Sequence, residues 1–160
     1  MIAYRLIQPE ETHAACELVA AVFDRYNAPA LTEEGIAEFR RYNNPEAMTR
    51  RSENHFSMVA TTDRRIVGII EMRNRRHISL LYVLREFQGM GIARALWTLA
   101  FRKCREEDPA PLEFTVSSSD YATAVYEKFG FRRTAESKIV NGLRFVPMTL
   151  NPPSLDGKAR

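Results

Sequence analysis

Residues Ile78 to Leu84 form a largely apolar run of strand length, and Arg85-Glu86-Phe87-Gln88-Gly89-Met90-Gly91 carries it into a long helical pattern from Ile92. A strand that turns through two glycines into a helix constrains the fold strongly. Such a turn leaves backbone N–H groups unpaired at the helix N-terminus, with the positive end of the helix dipole behind them. Gly89 and Gly91 lack Cβ atoms, so a bulky anion can approach the main chain closely. The segment reads as a phosphate cradle. A P-loop needs Lys followed by Ser or Thr after its last glycine, and Ile92 and Ala93 stand there instead. A dinucleotide fingerprint needs a third small residue where Arg94 stands, within an early βαβ unit that the chain does not offer.

Gln88, Gly91 and Ala93 fill in order the pattern Gln/Arg-x-x-Gly-x-Gly/Ala, preceded by the strand Leu80-Leu81-Tyr82-Val83. A second segment, Ser119-Asp120-Tyr121-Ala122-Thr123-Ala124-Val125-Tyr126-Glu127-Lys128-Phe129-Gly130-Phe131, is similar to Asn-x-x-Ala-x-x-Leu-Tyr-Glu-Lys-Leu-Gly-Phe. Ala122, Tyr126, Glu127, Lys128, Gly130 and Phe131 match directly; Val125 and Phe129 are apolar replacements, and Ser119 departs from the usual Asn. Both segments resemble signatures of the GNAT acetyltransferase superfamily, in the family's order and spacing. The resemblance covers most of the chain, with the part before Phe56 matching only in pattern.

At 160 residues the chain has the size of one domain, large enough to bury a core without disulfides or metals. Hydrophobic residues make up 45% and charged residues 27%, as in ordinary globular proteins. No apolar run is long enough to span a bilayer, and Met1 to Arg5 does not resemble a signal peptide, so a cytoplasmic protein without membrane attachment is expected. Cys16 and Cys104 sit in helical patterns and read as small core residues with no metal spacing around them. A net charge of +3 is mild. Arg73, Arg75 and Arg76 cluster at a hairpin turn rather than along a stripe, so no nucleic-acid partner is expected.

The periodicity predicts a first strand over 2–7 and a helix opened by Pro9-Glu10-Glu11-Thr12 with apolar Ala15, Leu18, Val19, Val22 and Phe23. Thr32 reads as the N-cap of a second helix through Phe39, and a short helical turn lies before Arg51. Strands follow over 57–61, 66–73 and 77–84, joined by turns at 62–64 and 74–76. The helix after the glycines runs from Gly91 to Glu107, with an apolar set covering more than one face. A strand over 112–116, a helix over 121–129 and a hairpin around Asn141-Gly142 complete the order. Residues 1–150 thus form one domain, and 151–160 read as a loose tail.

The GNAT resemblance implies an α/β (α+β) fold with a mixed, mostly antiparallel sheet of about seven strands flanked by about four helices. It implies acetyl-CoA as co-substrate and no metal. The strands before and after the central helix would splay into a slot for the pantetheine arm, paired by the backbone of Tyr82, Val83 and Leu84 as a missing strand would be. The pyrophosphate would rest on the N–H groups of Gln88, Gly89, Met90, Gly91, Ile92, Ala93 and Arg94, with Ser119, Ala122 and Tyr126 completing the cofactor site.

Transfer from a thioester to a primary amine needs a neutral amine, a donor for the developing oxyanion and a proton for the departing thiolate. A lysine-like amine, with a pKa of about 10.4, is mostly protonated at neutral pH. By resemblance Tyr126 is the proton donor. The residues themselves suggest Glu71 as a base acting through water. A turn on Asn74-Arg75-Arg76 pairs Arg73 with His77 and Glu71 with Ser79, placing Glu71, His77 and Ser79 on one face. The alternative for Glu71 is a structural ion pair with Arg73 or another nearby arginine. His77 is a second candidate base, and a backbone N–H near Val83 is the expected oxyanion donor. Ser117, Ser118 and Ser119 lack a nucleophile elbow and a His–acid pair, so direct transfer is expected over a covalent enzyme intermediate.

The resemblance places the acceptor cleft on the first two helices and their connection, together with the last hairpin. Asp24, Tyr26, Glu33, Glu34, Glu38, Phe39 and Tyr42 lie there, and the acids suit a small-molecule or peptide amine, or else form solvated helix faces. A non-catalytic acyl-CoA-binding or sensing module is the alternative function. Many members of the family dimerise, which admits a homodimer, although no residue points to one.

Overall fold

A computed structural model describes residues 1–110 and 113–152. The strands are β1 (Ala3–Leu6), β2 (His55–Thr62), β3 (Arg65–Arg73), β4 (His77–Val83), β5 (Phe114–Ser118), β6 (Arg132–Arg133), β7 (Lys138–Val140) and β8 (Leu143–Leu150). The helices are α1 (Thr12–Tyr26), α2 (Glu33–Tyr42), α3 (Pro45–Arg50), α4 (Ile92–Glu107) and α5 (Thr123–Lys128). The strands run in the order β1-β2-β3-β4-β5-β8-β6, with β7 on β8, and every pairing is antiparallel except β4 with β5.

The mixed, mostly antiparallel sheet is as expected, with eight strands rather than about seven and five α-helices rather than about four among the described residues. The additional strand is β6, two arginines with no apolar pattern, paired with Thr149 and Met148. The strand expected over 112–116 is displaced to Phe114–Ser118, and Leu112 lies outside the described residues, as do 153–160 of the expected tail.

Alternation along β3 fills both faces of the sheet. Ile69 joins Val19, Val22, Val59 and Leu80 under α1, while Ile70 joins Ile92, Leu96, Trp97 and Phe114 under α4. Trp97 packs its ring within 5.5 Å of Phe101 and Phe114 and 5.4 Å of Phe131, tying α4 to the segment after α5. Gly68 lets α4 approach closely, because a Cβ there would stand 3.1 Å from Ile92 Cγ2. The fully buried residues of α4 form one stripe (Ile92, Leu96, Trp97, Ala100, Cys104), narrower than the sequence suggests, with Leu99 and Phe101 only half-buried. Cys16 and Cys104 are buried free thiols, one in each core.

The turn between β3 and β4 is as expected, with Arg73 opposite His77. The expected pairing of Glu71 with Ser79 does not hold. A bulge pairs Glu71 with Leu80 and Met72 with Ile78, leaving Ser79 as the extra residue. An inserted residue of this kind re-aims side chains locally, and simple alternation cannot reveal it.

Candidate active site

β4 and β5 pair only at His77–Thr115 and Ile78–Val116, then separate. Beyond Ile78 the strand loses its neighbour on one side, and a cavity of about 430 Å³ opens between the strands. Tyr82, Val83, Gln88, Gly89, Gly91, Ile92, Ala93, Arg94, Ser119, Ala122 and Tyr126 all line it. Leu84 and Met90 do not, and the Met90 side chain is exposed to solvent.

The cradle is built by backbone conformation. Gly89 and Gly91 adopt φ of +81° and +82°, in the left-handed region, and no atom lies within 4 Å of where their Cβ atoms would stand. Gly91 is the N-cap of α4 and offers no side chain to cap it. The helix ladder begins with Ala95 N–H donating to the Gly91 carbonyl at 3.0 Å, so the N–H groups from Gly89 to Arg94 have no backbone partner. Open space, unpaired donors and a sixteen-residue helix behind them suit a polyanion.

Gln88 has a different place from the one expected. Its N–H donates to the Arg85 carbonyl at 3.2 Å, and its side-chain amide donates to the Val83 carbonyl at 3.0 Å. It therefore fastens the loop to the end of β4. Leu84 N–H donates to Val67, so strand alternation turns the N–H of Val83 toward the slot. Arg94 lies over the Phe129 ring at 5.2 Å and donates to the Lys128 carbonyl at 3.3 Å, holding two cationic side chains at the cavity wall.

Tyr126 is buried in the α5 wall, and burial pushes its phenol well above the ordinary range. Tyr82 is raised by burial and then by the nearby Tyr126. Both phenols are protonated throughout the physiological range and so keep a proton to donate. The Ser119 hydroxyl accepts from Ala122 N–H at 3.2 Å, capping the turn that leads into α5.

A second cavity, of about 330 Å³, lies on the α1–α2 side. It shares Asn27, Ser79, Tyr82, Ser117, Ser119 and Tyr121 with the first, so the two meet where β4 and β5 part. Tyr26, Glu38, Phe39 and Tyr42 line it as expected, together with His77; Asp24, Glu33 and Glu34 do not. Asn27 and Tyr121 carried no sequence signal beyond a helix break and a motif spacer, yet each faces both cavities.

Glu71 lines neither cavity and is 1% exposed. The Tyr42 hydroxyl donates to it at 2.8 Å and Arg51 Nε donates at 3.0 Å. Arg51 also donates to the Tyr42 carbonyl at 2.6 Å and lies 3.7 Å over the Tyr42 ring. Tyr42 thus stands between Glu71 and the cavity, its phenol pushed up to about 12 by burial and by the Glu71 charge. The ion pair weighed for Glu71 is present, with Arg51 rather than Arg73. His77 is half-buried with Nδ1 2.8 Å from Thr115 Oγ1, and burial, then the charges of Arg73 and His55, lower it to about 4. It is neutral at pH 7 and weakly basic.

No group of three or more His, Cys, Asp or Glu among the described residues is placed to hold a metal ion, and none of the described helices is long and apolar enough to cross a membrane.

Solved structures share this architecture. The chain is similar to a GCN5-related N-acetyltransferase from Rhodopseudomonas palustris at 23% identity, with 94% of this chain and 95% of that one covered and a TM-score of 0.79. It is similar to the PaiA N-acetyltransferase of Thermoplasma acidophilum, solved in complex with coenzyme A, at 19% identity, 95% and 99% coverage and a TM-score of 0.78. It also resembles the ribosomal-protein-S18-alanine N-acetyltransferase of Escherichia coli at 16% identity, 94% coverage of both chains and a TM-score of 0.66. At these identities the likeness establishes the fold. No curated protein matches in sequence. Residues 27–152, which carry the cradle, the splay and Tyr126, match the family model described as an acetyltransferase (GNAT) domain. By that match the chain belongs to the GNAT acetyltransferase family, whose chemistry is acyl transfer.

Proposed function

We propose that this protein is an acetyl-CoA-dependent N-acetyltransferase that passes the acetyl group directly to a primary amine. The observation that carries this reading is the junction of two cavities at the β4–β5 splay, one lined by the cradle and one by α1, α2 and the last hairpin. Acetyl-CoA supplies the acetyl group as a thioester, and the solved complex of the Thermoplasma acidophilum neighbour with coenzyme A supports that choice.

The chain's own residues divide the work. The N–H groups of Gly89 to Arg94 hold phosphate, with Arg94 and Lys128 adding positive charge beside them. The Val83 N–H is the donor for the carbonyl oxygen as negative charge develops on it. Tyr126, held protonated by its burial, donates to the sulfur. Tyr42 commits its proton to Glu71, which leaves its oxygen lone pairs to receive an N–H of the incoming neutral amine. The C–N bond forms as the C–S bond breaks, and the proton shed by the acylated nitrogen returns through solvent to Tyr126, replacing the one given to sulfur. Glu71 thereby acts as a positioning residue behind the cavity, and Arg51 fixes both partners.

Titration calorimetry with acetyl-CoA and desulfo-CoA, against ATP and NAD, tests the cradle, and thiol release with a panel of amines tests transfer. Selective binding of both CoA ligands together with amine-dependent thiol release is the expected result. Tyr126→Phe should keep CoA binding and lose turnover by about 10²–10⁴-fold. Failure of folded protein to bind either CoA ligand would overturn the reading, and binding with no turnover on any amine would mark an acyl-CoA sensor instead.

A further inference from the structure

We infer that the acceptor is a flat, aromatic-bodied amine that carries an anionic group at its far end, received by Arg73. This inference names the acceptor class for the transfer reading above and rests on it.

The α1–α2 cavity is walled by rings. Phe23 and Phe39 stack at 3.9 Å and 3°, Tyr26 and Tyr121 stack at 4.8 Å, and Tyr82 leans on Phe39 at 6.2 Å. Tyr42 and Phe145 add further aromatic lining. Stacked, mutually braced rings present flat faces of fixed orientation, which favour a flat apolar body over a flexible chain.

Aromatic faces also attract cations, so the charges decide between an amine with an anion and a polyamine. The two carboxylates that line the cavity are both engaged. Glu38 accepts from Arg41 at 2.6 Å and from Asn141 at 3.2 Å, and Asp120 pairs with Arg144 at 2.9 Å. Glu71 is held by Arg51 behind Tyr42. Among the described residues, no carboxylate that lines the cavity lacks a partner, so a second ammonium would have to compete with an arginine already in place. Arg73, by contrast, lines the cavity and has no carboxylate within 4.0 Å among the described residues. The nearby His77 is neutral and adds no competing charge.

The positions also set a length. The amine reacts at the junction lined by Ser79 and Tyr82, whereas Arg73 pairs with His77 at the other end of β4. At a strand rise of about 3.3 Å per residue, Ser79 and Tyr82 stand roughly 7 and 16 Å beyond His77. An α-carboxylate is bonded to the carbon that bears the amine and stays beside the reacting nitrogen, whereas a carboxylate across an aromatic ring from an aminomethyl group reaches further along β4 toward Arg73.

The test compares 4-(aminomethyl)benzoate, benzylamine and spermidine as acceptors by acetyl-CoA-dependent thiol release. The expected result is a kcat/KM about tenfold higher for the carboxylate than for benzylamine, carried by KM, with spermidine poorest. Arg73→Gln should remove that preference and Arg73→Lys restore part of it. Arg75→Gln should keep the preference intact, since Arg75 pairs with Glu107 outside the cavity. Benzylamine or spermidine equal to the carboxylate in the native protein, or a preference that survives Arg73→Gln, would overturn the inference and leave the transfer reading standing. Thiol release with none of these acceptors or any other amine would overturn both.

Discussion

Gly35 and Gly142 meet backbone to backbone: a Cβ on Gly35 would stand 2.2 Å from the Gly142 carbonyl oxygen, and one on Gly142 would stand 2.5 Å from the Gly35 nitrogen. Gly35 lies in the first turn of α2, where its N–H donates to Thr32 Oγ1 at 3.2 Å, and Gly142 closes the β7–β8 hairpin at φ +80°. One turn further along α2, Glu38 accepts from Asn141. These contacts fasten α2 to the hairpin, and both contribute walls to the cavity on the α1–α2 side.

An exposed helix glycine changed to alanine ordinarily gains up to about 1 kcal/mol. At Gly35 the sign reverses, because the new methyl collides with main chain that no rotamer change can clear. Overpacking of this kind costs about 1–3 kcal/mol. Gly35→Ala should lower the thermal midpoint by roughly 2–12 °C and raise the acceptor KM while acetyl-CoA affinity holds. A melting curve and a KM series check it; an unchanged or higher midpoint would show that the hairpin yields freely.

Gly91 poses the opposite case. Nothing lies within 4 Å of its missing Cβ, so alanine fits sterically and the whole cost is conformational. A non-glycine residue in the left-handed region costs about 1–2 kcal/mol, and the free loop relieves it by moving the N–H groups out of register. Cofactor binding must then restore the strained form. Gly91→Ala should weaken acetyl-CoA binding by about 5–30-fold, and Gly91→Asn by less, since Asn tolerates φ near +80° better. Calorimetry on the three proteins decides it, and equal affinities would show that the loop conformation is not needed for binding.

What could be read from the sequence was chemistry carried by neighbours in the chain. The Gly89–Gly91 turn, the Thr32 cap and the Asn141-Gly142 turn each declare their conformation through local residue types, and Asn141 and Gly142 do adopt φ of +52° and +80°. The slot was expected from the family resemblance, not from these local signals. What escaped was set by distance and by irregularity. Tyr42, Arg51 and Glu71 are 20 and 29 residues apart in their pairings, and no periodicity links them. The bulge at Ser79 shifts register without changing composition. β6 is two arginines that only the β8 edge converts into a strand. The cleft acids divide in the folded chain: Glu38 is engaged by Arg41 one turn along α2 and by Asn141 of the hairpin, Asp24 pairs with Arg40, and Glu33 and Glu34 lie away from the cavity.

The buried pair behind Tyr42 should dominate stability on that side of the sheet. Glu71 is 1% and the Arg51 side chain 11% exposed, so neutralising one partner strands the other in a poorly solvated place. Glu71→Gln should cost about 3–5 kcal/mol, the usual penalty for breaking a buried ion pair. Tyr42→Phe removes a single donor to a carboxylate still held by Arg51 and should cost about 1–3 kcal/mol. Urea unfolding of both variants gives the ranking. A Glu71→Gln loss no larger than that of Tyr42→Phe would mean water reaches the pair.

His77 gives the fold a specific sensitivity to acid. Burial, followed by the charges of Arg73 and His55, holds it near pKa 4, whereas the unfolded chain takes up that proton near 6.5. Between those values the unfolded state binds more protons, so stability rises with pH across the window. The contribution is fully present above about 6.5 and is lost as pH falls through about 4, to a limit of about 3 kcal/mol that residual solvation reduces. His55, lowered chiefly by its own burial, pushes in the same direction. The native protein should therefore lose more stability between pH 7 and pH 4 than His77→Gln, which keeps a polar partner for Thr115 without a titrating ring. Urea midpoints of both proteins at the two pH values measure the difference. Equal losses would show that His77 takes up its proton in the folded state as readily as in the unfolded one.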